Sequence, residues 1–74
     1  MIREYLVKSK EHSQTILASN DIVACRRFLK YLMRCTEERP IELTTAQKLH
    51  QGMDREYTWR VEWQKSKFQL WGPH

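Results

Sequence analysis

Few residues in this 74-residue chain have types suited to chemistry, and they are scattered. Soft ligands are limited to His12, His50, His74, Cys25 and Cys35. None of them forms the C-x-x-C or H-x-x-x-H pair that a structural or catalytic zinc site uses. A nucleophile needs a base within hydrogen-bond reach, and no spacing ties a histidine to either cysteine. Glu37 and Glu38 are adjacent, so at a helix end their carboxylates point apart instead of working as an acid and base pair. The expectation is a protein with no catalytic residues, no metal site and no cofactor.

What remains is chemistry of contact. Arg26, Arg27, Lys30 and Arg34 recur at helical spacing without an interleaved acid. Such a stripe suits a phosphate backbone or an acidic protein surface, although any amphipathic helix also needs a solvated face. The second feature is WRVEWQKSKFQLW, residues 59–71, which carries all three tryptophans between Arg60, Lys65 and Lys67. Aromatics interleaved with cations can stack bases or anchor a protein interface. They can equally be the buried face of a hairpin, and Tyr57, Trp59, Val61 and Trp63 have the period of two that a half-buried strand requires. A domain this small cannot enclose three tryptophans. With Phe68 and Leu70 turned to the core, Trp71 must face elsewhere, beside Arg60 as a contact anchor.

These features need elements to position them. Residues 21–35, DIVACRRFLKYLMRC, form an amphipathic helix in which Ala24, Cys25, Phe28, Leu29, Tyr31, Leu32 and Cys35, with Ile22 and Met33, fill the apolar arc. Ser19-Asn20-Asp21 supplies N-cap residues before it, and Pro40 stops it. The capping cluster also argues against the competing reading, a long helix beginning near Glu11. Residues 2–9 and 13–18 then form a hairpin around Lys10-Glu11-His12. Thr44 and Gln47 have capping-box spacing, Ala46, Leu49 and Met53 make a narrow stripe, and Gly52 suits a helix stop. These signals predict a short second helix. Residues 56–64 and 67–71 read as a closing hairpin.

The predicted fold is one α+β domain of order β-β-α-α-β-β: an antiparallel sheet of about four strands, one long amphipathic helix across it and a short second helix. The layout is similar to small phage-encoded inhibitors and adaptors that place a helix between two hairpins, a likeness of architecture that rests on no diagnostic motif. A mobile-element origin is compatible with that layout.

Composition bounds the function further. The chain is 41% apolar and 30% charged with two glycines and two prolines, which suits a globular domain. A net charge of +4 permits an acidic partner without demanding one. No run approaches the roughly 20 apolar residues of a membrane span, so no membrane partner is expected. Cys25 and Cys35 lie on one helix about 15 Å apart, too far to bridge. Two unpaired core thiols, and an N-terminus without signal-peptide layout, point to a cytoplasmic location.

The leading expectation is a non-enzymatic modulator, an inhibitor or adaptor that docks on another protein or protein complex. Its contact residues would be Arg26, Arg27, Lys30, Arg34, Arg60, Lys65, Lys67 and Trp71. Direct nucleic-acid binding by the same residues is the alternative, and a homodimer is compatible with either.

Overall fold

Five main strands and one helix with an apolar stripe organise the chain, here in a computed structural model. It describes residues 1–49, 52–53 and 55–73; His50 and His74 lie outside the described residues, as does the side chain of Met53. The elements run β1 (Arg3–Lys8), β2 (Ser13–Ala18), α1 (Asp21–Cys35), β3 (Glu42–Leu49), β4 (Gly52–Met53), β5 (Tyr57–Gln64) and β6 (Lys67–Trp71). The sheet is antiparallel and curled, in the order β2-β1-β3-β5-β6, with the short β4 paired to the end of β3.

The helix starts and stops for identifiable reasons. Asn20 is its N-cap, its side-chain oxygen accepting from the Val23 N–H at 2.9 Å. Asp21 stands in the first turn and Arg34 in the last, each complementing the helix dipole. Thr36 closes the C-terminus, donating both its N–H (3.0 Å) and its hydroxyl (2.9 Å) to the Leu32 carbonyl.

The short second helix expected over residues 44–52 is absent among the described residues, so the order β-β-α-α-β-β does not hold and the sheet has five main strands instead of about four. Glu42–Leu49 is instead the central strand of the sheet, hydrogen-bonded to β1 on one side and β5 on the other. The neighbouring strands on its two edges take up the main-chain hydrogen bonds that a helix would have made internally. Leu43, Thr45 and Ala46 are buried, whereas Leu49, a member of the stripe that suggested a helix, is exposed. The β-branched pair Thr44-Thr45 was the local sign of a strand.

One face of the sheet packs on α1. Tyr5, Val7, Ala18, Leu43, Trp59 and Val61 meet Ala24, Cys25, Phe28, Leu29 and Leu32. Each large aliphatic side chain buried here is worth about 1.5–3 kcal/mol. Trp59 is 2% exposed and satisfies its indole N–H on Thr45 Oγ1 at 2.9 Å. Thr45 is therefore a buried polar residue with a partner. The apolar arc of α1 is narrower than expected. Ile22, Tyr31 and Cys35 are exposed, while Val23 packs against the core, so Cys25 is a core thiol and Cys35 is a surface one.

Candidate functional site

The two edges of the curled sheet lie at β2 and β6, and the chain treats them differently. At β2, the Arg27 guanidinium donates to the Leu17 carbonyl, tying the helix to that strand. Among the described residues, β6 pairs with β5 alone.

Register determines what β6 offers. Its hairpin turns through Lys65-Ser66, where Lys65 has φ 56°, and Gln64 pairs with Lys67. In a two-residue hairpin the closing pair exchanges both main-chain hydrogen bonds. The same holds at every second pair, so Lys67, Gln69 and Trp71 point their amides and carbonyls inward at β5. Phe68 and Leu70 then direct theirs to the open side. Consistent with this alternation, Val61, opposite Leu70, donates its N–H away from β6 to the Ile41 carbonyl at 2.9 Å.

Side chains follow the same alternation. Phe68 and Leu70 turn to the core side and are half-buried. Trp71 turns to the opposite face, directly across from Arg60, and is 51% exposed. Lys67 and Gln69 share that open face. The other two tryptophans are structural. Trp59 is core, and Trp63 donates its indole N–H to the Pro40 carbonyl at 2.8 Å while packing on Phe68 and beneath the Arg39 guanidinium.

Between β6 and α1 lies an open cleft lined by Arg26, Lys30, Phe68, Gln69, Leu70 and Trp71. Arg26 and Lys30 stand one helical turn apart, about 6 Å along the axis. Among the described residues no carboxylate pairs with either. Three of the residues anticipated as contacts thus meet in one place, with Arg60 and Lys67 on the adjoining open face. Arg27 is engaged with β2, Arg34 belongs to the last turn of α1, and Lys65 forms the hairpin tip; none of these lines the cleft.

A second constellation joins residues that sequence spacing could not connect. The β1–β2 turn and the link after α1 meet at Glu38, whose side chain is 8% exposed. Glu38 Oε1 accepts from Ser9 Oγ at 2.8 Å and lies 2.5 Å from His12 Nδ1; Oε2 accepts from the Glu11 N–H at 3.3 Å. Burial pushes the Glu38 carboxyl up, but the hydrogen bonds from His12, Ser9 and Glu11, with the charge of His12, outweigh it and hold the group below its ordinary value. Ser9 and His12 engage the same carboxylate oxygen, so the imidazole does not stand between hydroxyl and acid as an activating base would. Ligand atoms of Glu11, His12 and Glu38 lie within 4.8 Å of one another, so these residues could approach a cation. Both Glu38 oxygens already have protein partners. Only tertiary pairing over 26 residues brings His12 to Glu38, which explains why no motif announces the cluster.

Among the described residues no helix is long and apolar enough to cross a membrane. Compared with protein-family models, curated proteins and solved structures, the chain has no match.

Proposed function

We propose that the chain is a non-enzymatic docking protein, an inhibitor or adaptor that modulates a larger assembly through the cleft between β6 and α1. The observation that carries this reading is a sheet edge whose outward main-chain groups, among the described residues, are unused, beside two cations without carboxylate partners among those residues and a half-exposed tryptophan. A tryptophan left outside a small core, next to Arg and Lys, has the composition of an interface anchor. Arg26, Lys30 and Arg34 would steer an acidic partner, and Trp71 with Arg60 would hold it.

The test is capture by the tagged protein from the lysate of its source cell after nuclease treatment, repeated with Arg26→Glu/Lys30→Glu and with Trp71→Ala. A defined protein retained by the parent and lost in both variants, each with an unchanged circular dichroism spectrum, supports the proposal. Retention by both variants refutes it. Nucleic acid is the second reading, favoured by Trp71, Arg60 and Lys67 sharing the open sheet face. On that reading everything captured disappears with nuclease, and oligonucleotide affinity falls steeply as salt rises.

A further inference from the structure

We infer that the occupant of the cleft is an extended acidic segment of a partner protein, which joins the sheet as a strand beside β6 and sets its carboxylates against Arg26 and Lys30. This rests on the docking reading above and specifies the chemistry of the partner.

Three observations converge. The N–H and C=O of Phe68 and of Leu70 face the open side of the edge, offering two donors and two acceptors in the repeat a strand can meet. An incoming strand would lie about 4.8 Å from β6 with its side chains alternating between the helix side and the open face. On the helix side it meets Arg26 and Lys30. Their spacing of about 6 Å along the helix is close to the roughly 6.7 Å between alternate residues of a strand. Acids at positions i and i+2 therefore reach one cation each. On the other face the intervening side chains lie beside Gln69 and Trp71, where an apolar residue covers exposed indole.

Charge selects among occupants. β6 itself, KFQLW, contains no acid. A second copy paired through this edge would bring no carboxylate to Arg26 and Lys30, and each protomer carries +4. The usual protections of an edge are short length and lysine. Lys67 is present, but it stands at the turn end of the strand on the open face and leaves Phe68 and Leu70 uncovered.

The experiment uses a capped hexapeptide alternating glutamate and valine, with amide exchange of the intact protein read by NMR. At ten times its dissociation constant the peptide slows exchange of an occluded amide about elevenfold. Slowing is expected at the Phe68 and Leu70 amides, with none at β2. The corresponding lysine–valine peptide and an N-methylated acidic peptide should leave both amides unchanged. In Arg26→Glu/Lys30→Glu the preference should invert, so that the lysine–valine peptide protects and the acidic one does not. No protection at peptide concentrations of about 5 mM, equal protection by acidic and basic peptides, or protection at β2 instead overturns strand addition. A single-stranded oligonucleotide that protects these amides where the acidic peptide does not also overturns it.

Failure here is distinguishable from failure of the docking reading. If the peptide is inert while partner capture still requires Arg26 and Lys30, docking stands and strand addition falls. If the peptide behaves as expected while capture ignores the substitutions, the docking reading falls and takes with it the assignment of the occupant to a partner protein, leaving only the capacity of β6 to add an acidic strand.

Discussion

Replacing Glu38 with glutamine keeps the shape of the side chain and removes its charge, isolating what the carboxylate contributes to joining the first turn to the segment after the helix. Three groups depend on it: Ser9 Oγ at 2.8 Å, His12 Nδ1 at 2.5 Å and the Glu11 N–H at 3.3 Å. Hydrogen bonds to a charged acceptor are each worth about 1.5–3 kcal/mol, against about 1 for neutral pairs. The glutamine oxygen can satisfy only part of the set, so Glu38→Gln should cost about 1.5–3 kcal/mol. For 74 residues, total stability is about 4–11 kcal/mol, so the loss is a sizeable share and lowers Tm by roughly 6–24 °C. Urea unfolding followed by tryptophan fluorescence measures it, since Trp59 passes from a buried site to water. The pH dependence has a definite sign. The folded carboxyl lies below the ordinary value of 4.5, so its stabilisation is complete above pH 4.5 and is lost as pH falls through the folded value. Parent and Glu38→Gln should differ fully at neutral pH and converge in acid. A cost below about 0.5 kcal/mol at neutral pH, or one as large at about pH 3, would refute the charged-clasp account.

Four other outcomes are expected. Thr45→Val leaves the buried Trp59 indole N–H without its acceptor and should cost about 1–3 kcal/mol in the same urea assay. Lys65→Gly relieves a left-handed φ of 56° and should raise stability by up to about 1 kcal/mol, with thermal unfolding as the readout. Cys35 should react with a maleimide in the folded protein while Cys25 waits for unfolding, as counted by mass spectrometry. Burial, then the charge of Asp21, pushes the Cys25 thiol from 9.0 up to about 12. Its contribution is thus complete below pH 9 and is lost as pH rises toward 12, so Cys25→Ala should flatten the alkaline side of the stability curve.

Where local chemistry decides structure, the sequence was legible. Asn20 and the period of apolar residues locate α1 at residues 21–35, and strict alternation locates β5 with Trp59 and Val61 inward. The parity of the last strand correctly turns Trp71 away from Phe68 and Leu70. β3 is not legible locally, because its identity comes from its neighbours. Thr44 and Gln47 satisfy a capping pattern in isolation, whereas strand pairing on both sides and the bond from Trp59 to Thr45 exist only in the assembled sheet. Cys35 falls within the apolar arc by periodicity alone, yet at the last turn of α1 it is exposed. In the candidate site, Arg26, Lys30 and Trp71 were legible as types and the cleft joining them was not. Arg27 shows the limit of reading a stripe by charge alone, since its guanidinium holds β2.

The central position of β3 also sets the order in which the fold can be completed. Each hairpin closes locally, but joining Tyr5 to Gln47 requires closing a loop of about forty residues, an entropic cost of roughly 3 kcal/mol beyond the constant term. An isolated two-stranded hairpin is marginal in water, so neither end is expected to persist without the middle. During synthesis β3 is present before β5, with its future partner edge uncovered and the core lacking Trp59 and Val61. The growing chain thus passes through a stage whose most exposed pairing surface is the strand that ends up most enclosed, and aggregation at that stage is a hazard that vanishes once the last hairpin docks.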